Sequence, residues 1–185
     1  LHLCDYNLEK MEANNYDSGK ATHTLLAEVC MAAKYEGQSI RDYYTKHELT
    51  NRDTKSQICT VLARSFADIG DIVRGKDLYL GYNRKEKAQK EKLENKLKEY
   101  FENIHDKLEQ PAKEHYGSDK ENYYQLREDW WALNRQEIWK AITCERPGGT
   151  YFRKTCVWEN ETQNNCRCTT HDVPTYFDYV PQYLR

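Results

Sequence analysis

Seven cysteines constrain this 185-residue chain more than any other feature: Cys4, Cys30, Cys59, Cys144, Cys156, Cys166 and Cys168. An odd number cannot pair completely within one chain, so in an oxidising compartment a sulfur is left needing a partner outside it. In the cytosol the same residues would be reduced, catalytic or metal-bound. Spacing weighs the alternatives. Cys156, Cys166, Cys168 and His171 read C-x9-C-x-C-x2-H. Structural zinc sites favour two C-x2-4-C knuckles, because each knuckle lets a tight turn present two sulfurs. A C-x-C step fits that poorly, so disulfide chemistry is the stronger reading, and no metal or other cofactor is expected.

Hydrophobic spacing predicts four helical stretches. From Thr24 to about Tyr35, Leu25, Leu26, Val29, Cys30 and Ala33 share a helical face, with Gly37 a stop and Ser39 a place to resume. Ile58, Val61, Leu62, Ser65, Phe66, Ile69, Ile72 and Val73 mark a second helix, with Gly75 where a C-terminal cap belongs. A third runs from Arg84 to Gln110 on Leu93, Leu97, Phe101, Ile104 and Leu108, until Pro111 ends it. Glu86–Lys90 and Glu94–Lys98 stand in the favourable i,i+4 order, each pair contributing about 0.2–0.5 kcal/mol. The fourth spans Asp119, a good N-cap, to Thr143 and carries Leu126, Trp130, Leu133, Ile138, Trp139 and Ile142. Arg146-Pro147-Gly148-Gly149 breaks it. Residues 150–185 hold three of the seven cysteines and two of the four prolines, without helical period. Within them Thr150-Tyr151-Phe152 and Thr175-Tyr176-Phe177 read as short strands. The expected fold is a mainly α body of about 146 residues followed by an irregular Cys-rich segment.

Composition tests whether such a body packs. Leu, Ile, Val and Phe make up about 17 % of the chain, under the roughly 20 % below which disorder becomes a serious reading. Two facts oppose disorder: the net charge is only -2, and 15 Tyr with 4 Trp supply large surfaces that a mean hydropathy of -1.03 undervalues. An aromatic-heavy core is the expectation. No apolar run approaches the roughly 20 residues needed to span a bilayer. The chain begins at Leu1 without an initiator Met, as an excised segment would. A pI near 6.3 does not suggest a nucleic-acid binder.

Catalytic patterns are missing from the sequence. The six His are scattered, and there is no G-x-S-x-G, phosphate-cradling glycine loop or H-E-x-x-H. Asp68 and Asp71, three apart, are explained better by salt bridging than by acid–base work. An enzyme is not expected. Asn160-Glu161-Thr162 matches the N-glycosylation pattern, which is compatible with export and adds little more. The one concentrated charge lies between Arg84 and Lys98. Arg84, Lys85, Lys87, Lys90, Lys92, Lys96 and Lys98 stand against Glu86, Glu91 and Glu94, a local excess of four positive charges. These residues are the candidate contacts for sulfated glycans, which a basic patch holds by counterion release; the plainer reading is a solvated helix face. Interleaved Glu and the lack of alternating aromatics argue against nucleic acid.

Four strings together resemble one family: LHLCDYNLE at the start, RSFADIGDIVRGKDLYLG from Arg64 to Gly81, EDWWALNRQEIWKAITC from Glu128 to Cys144, and YVPQYLR at the end. They are similar to Duffy-binding-like domains, and more closely to the alpha class at the head of erythrocyte membrane protein one of the malaria parasite Plasmodium falciparum. The resemblance covers essentially the whole chain. It implies a disulfide-stapled, mostly helical adhesion module of three subdomains. Residues 1–146 would be the end of the first subdomain plus the helical second, and 147–185 the Cys-rich start of an incomplete third.

The resemblance also implies a cysteine pairing of Cys59 with Cys156, leaving Cys30 and Cys144 as a plausible second pair. Cys4, Cys166 and Cys168 would then find no partner within the segment. It further implies display on the infected erythrocyte, with the membrane anchor outside this segment and no membrane contact by the segment itself. Host-cell receptors on red cells or endothelium would be the partners in rosetting and cytoadherence, among them complement receptor, heparan sulfate and blood-group glycans, with host antibodies as a further binding class. The alternative is a scaffold, with Phe66, Ile69, Trp130, Trp131 and Trp139 as packing residues, Gly70 and Gly75 as backbone-fitting positions, and receptor contacts elsewhere.

Overall fold

The helical periods close around an aromatic core. The computed structural model describes residues 21–50, 58–119, 121–144, 149–151, 154–156, 158 and 160–185. Its helices are α1 (Ala21–Thr50), α2 (Ile58–Arg74), α3 (Arg84–Asp106), the single turn α4 (Ala112–His115) and α5 (Tyr124–Ile142). Two 3-10 turns, Phe177–Tyr179 and Gln182–Leu184, follow. No β-strand occurs among the described residues; a lone bridge joins Cys156 to Asn160.

α2 is the central helix. Its apolar face buries Ile58, Leu62, Phe66, Ile69 and Val73. Phe66 packs at 5.1 Å, centroid to centroid, on Trp131 and edge-on at 5.2 Å on Trp139, both from α5. α3 adds Leu93, Leu97, Phe101 and Ile104, with Phe101 edge-on to Trp130 at 5.9 Å. The two edge-on contacts have the geometry aromatic quadrupoles favour, so the few aliphatics are supplemented by oriented aromatic contacts. Gly70 makes room for them, since a Cβ there would lie 2.7 Å from the Trp131 ring.

Helix ends differ in part from the sequence reading. Gly75 does close α2: at φ +71° its amide donates to Ile72 O and the Lys76 amide to Asp71 O, a Schellman arrangement. Gly37 does not stop α1, which runs on through it. Its missing side chain instead admits the end of α5, because a Cβ there would lie 2.0 Å from the Ile142 carbonyl oxygen. α3 ends at Asp106 rather than Gln110, and the turn α4 follows Pro111. Asp119 caps α5 from outside it, its carboxylate accepting the amides of Gln125 and Leu126 at 2.7 and 3.1 Å. Leu133, assigned by period to the core, is 83 % exposed. The strand expected at Thr175-Tyr176-Phe177 is not formed; the chain enters the first 3-10 turn there. Phe152 lies outside the described residues.

The disulfides correct the expected pairing. Cys59 bonds Cys166, and Cys156 bonds Cys168. Residues two apart in an extended chain would share a side, but Cys166 sits in a turn at φ +61°, and that bend lets it reach α2 while Cys168 meets Cys156. The Trp139 indole, donating to the Cys166 carbonyl at 3.2 Å, holds that segment against α5. Cys166 and Cys168 are therefore not orphans, and the sulfurs of the Cys-rich cluster are consumed as disulfides. Cys30 and Cys144 are free thiols. The end of α5 meets α1 at Gly37, and the Cys144 carbonyl beyond it accepts from Arg41 at 3.4 Å, so Cys144 lies roughly 10 Å or more along α1 from Cys30, beyond the Cα separation a disulfide spans. Cys4 lies outside the described residues.

Candidate binding surface

Two sets of charged residues dominate the molecule, one buried and one exposed. The buried set centres on Asp178, which is 1 % exposed. Its carboxylate accepts the Trp131 indole N–H at 2.9 Å and two Arg135 N–H groups at 2.9 and 2.7 Å. Its backbone carbonyl accepts from Arg74 at 2.5 Å. Arg74 also bonds Gly70 O and the Asp71 carboxylate, and stacks over the Trp131 and Tyr179 rings. Arg185 pairs with Asp68 at 3.1 Å and with Asp71. Burial holds the Asp68 carboxyl above its ordinary range against the pull of Arg185, with Asp77 and Glu36 adding to the rise.

Three of the four strings that carry the family resemblance meet in this lattice. One supplies Asp68, Asp71 and Arg74, the second Trp131 and Arg135, and the third Arg185, seven residues after Asp178. The fourth, Leu1 to Glu9, lies outside the described residues. Asp68 and Asp71 are thus ion-pair partners, as the plainer reading expected.

The exposed set is α3 and the loop before it. Asn83 caps the helix by accepting the Glu86 amide at 2.9 Å, and the Glu86 carboxylate returns to Asn83 Nδ2 at 2.8 Å and the Tyr82 amide at 2.8 Å. This is a variant of the capping box, with Asn in place of Ser or Thr and the returning carboxylate on the Tyr82 amide and the Asn83 side chain. The N-x-x-E spacing at Asn83 signals it in the sequence, and the period-based reading missed it. Glu86 also accepts the Tyr79 hydroxyl at 2.6 Å; desolvation first, then that bond, push the phenol up to about 12.

The seven basic candidates do not form one patch. Lys90 turns inward and clamps the loop, bonding Asp77 Oδ2 at 2.9 Å, Asp77 O at 3.0 Å and Tyr79 O. At about 100° per residue the others fall on two flanks. Lys85, Lys92 and Lys96 lie within an arc of about 40° that contains none of Glu86, Glu91 and Glu94. Arg84, Lys87 and Lys98 lie on the other flank with Glu91. Arg84, Lys85, Lys87 and Lys92 are exposed, whereas Lys96 and Lys98 are half-buried. Glu94 does not pair with Lys98; it grips the fully buried Arg127 by two bonds of 2.6 and 3.0 Å.

A structure of the N-terminal NTS-DBL1-alpha and CIDR-gamma double domain of a PfEMP1 protein from the Plasmodium falciparum varO strain matches with a TM-score of 0.77 and 41 % identity. The match covers 99 % of this chain and 25 % of that one. The ICAM-1-binding DBLbeta domain of PfEMP1 IT4var13 matches with a TM-score of 0.71 and 31 % identity, over 100 % of this chain and 39 % of that domain. The same domain bound to ICAM-1 matches with a TM-score of 0.66 and 32 % identity, over 99 % and 40 %. No curated protein matches the chain. This chain therefore spans a quarter to two fifths of the solved chains it resembles. A model of the Duffy binding domain matches residues 1–185, end to end through the strings joined at Asp178, and the chain belongs to that family.

Proposed function

We propose that this chain is part of a host-cell adhesion module, the head of a variant surface antigen displayed on the infected erythrocyte. On this reading residues 1–146 and 147–185 are portions of successive subdomains. The partners are receptors on red cells or endothelium, with sulfated or blood-group glycans as the chemical class and rosetting or cytoadherence as the outcome; complement receptor and host antibodies belong to the same proposal. One observation carries the glycan assignment: Lys85, Lys92 and Lys96 line up on one arc of a rigidly capped helix, clear of the three acids that dilute this segment's charge. Lys85 to Lys96 spans roughly 16 Å of helix, a row suited to successive sulfates of an extended chain.

Retention on immobilised heparin in a salt gradient tests this. Replacing Lys85, Lys92 and Lys96 with Glu is expected to lower the eluting salt and flatten the log–log salt dependence roughly in proportion to the cations removed. Unchanged retention would remove this face as the site. Lys90 is excluded from the test because its loss would release the loop it clamps.

A second reading, scaffold, draws on the lattice at Asp178. The strings that identify the family lie largely in buried ion pairs and aromatic contacts, which supports a role in folding; on this reading receptor contacts lie outside those strings. Binding by the correctly oxidised chain to receptor-bearing cells separates the two: retained binding favours the first, and its loss with intact disulfides favours the second.

A further inference from the structure

Between α3, the loop following Gly75 and the start of α5 lies a cleft of about 290 Å³. Ile72 and Leu93 form an apolar floor, and Leu80 (76 % exposed) and Tyr124 (48 % exposed) form walls. Four charged side chains line it: Asp77, Lys90, Glu94 and Lys98. Three have internal partners. Lys90 pairs with Asp77, and Glu94 grips Arg127, which it cannot leave without stranding a fully buried cation. No hydrogen bond or ion pair engages Lys98 among the described residues. The rim therefore carries one uncompensated positive charge above an aliphatic floor.

The walls are also fixed in advance. The Lys90 ammonium ties down the carbonyls of Asp77 and Tyr79, and Glu86 holds the Tyr82 amide and the Tyr79 hydroxyl. Leu80 is thus exposed on a braced backbone, so an incoming group meets a preformed cleft and little ordering cost.

We infer that this cleft docks a segment of a protein partner in which an apolar side chain lies next to a carboxylate, the apolar group seated on Ile72, Leu93 and Leu80 and the carboxylate on Lys98. The aliphatic floor and single available cation favour such a peptide over a sulfated sugar, which calls for several cations. The site lies on the opposite flank of α3 from Lys85, Lys92 and Lys96, and it does not rest on the glycan assignment.

The probes are fluorescein-labelled Gly-Ser peptides of about 12 residues carrying one Leu or Phe and one Glu one to four positions apart, with a matched series in which Lys replaces Glu. They are titrated by anisotropy against the oxidised chain. Saturable binding of at least one Glu peptide is expected, weakened roughly tenfold or more by Lys98→Glu, with the Lys series gaining affinity for that variant. Leu80→Ser should weaken the Glu series while leaving the thermal transition and heparin retention unchanged. Absence of binding tighter than about 1 mM throughout the Glu series, or binding indifferent to both substitutions, would overturn the assignment. Loss of heparin retention in the Lys85, Lys92 and Lys96 variant with peptide binding intact would show that the two sites are separate.

Discussion

Asp178 ties the C-terminal segment to α5 through its carboxylate and to α2 through its carbonyl, and no period or motif marks it in the sequence. It sits in an irregular segment and becomes informative only when Trp131 and Arg135 approach from α5 and Arg74 from α2. Asp178→Ala would leave the Trp131 indole N–H without its acceptor and Arg135 without its buried counter-charge, and urea unfolding of the oxidised protein is expected to report a loss of about 3–5 kcal/mol. Leu133→Ser, at an 83 % exposed position that the helical period assigned to the core, should change stability by no more than about 0.5 kcal/mol in the same assay. Cys30 supplies a pH test. Burial, with Glu137 adding to it, pushes its thiol from 9.0 to about 11. The folded state therefore holds this proton more tightly than the unfolded state. The contribution is complete below pH 9 and is lost as pH rises through about 11. Iodoacetamide labelling of Cys30 in the native chain should stay slow at neutral pH and accelerate toward pH 11, a course that peptide mass analysis can follow.

At the scale of elements, the helices were legible where burial follows one stripe. α2 and the second half of α3 announce themselves because their apolar residues recur on one face. α1 was harder, since Gly37 looks like punctuation; it serves instead as a contact with α5, and only a neighbouring helix gives it that meaning. The strand expected at Thr175 failed for a related reason: aromatic and β-branched residues there are fixed by Asp178 and Arg135 rather than by a pairing strand. The basic helix was legible as a charge and illegible as a surface. Sequence counts seven cations, whereas geometry assigns Lys90 to the loop, leaves Lys98 beside an apolar cleft and aligns Lys85, Lys92 and Lys96 on one arc. The capping box makes its own prediction: Asn83→Ala should cost about 1 kcal/mol, read by thermal unfolding. Glu86→Gln should bring the Tyr79 phenol down from about 12 toward its ordinary 10.0, read from the pH dependence of its ring carbon resonance.

For the whole molecule, the decisive feature is how the irregular C-terminal segment is secured. The odd cysteine count raised that question, and resemblance answered it with Cys59–Cys156. The fold answers it differently: the turn at Cys166 splits Cys166 and Cys168 between a bond to α2 and a bond to Cys156. The bond to α2 spans 107 residues of sequence and, in the chain-entropy model, stabilises by roughly 4–5 kcal/mol. Together with the lattice at Asp178 it makes the helices and the C-terminal segment one unit, a platform from which the outward face of α3 and the cleft beside Leu80 are presented. Disulfide mapping tests that unit most directly. Non-reducing digestion with trypsin and Glu-C cuts at Arg167 and at Glu159 or Glu161, so each of the last three cysteines falls in its own peptide. The account predicts a Cys59 peptide linked to the Cys166 peptide and a Cys156 peptide linked to the Cys168 peptide; a Cys59–Cys156 link would contradict it.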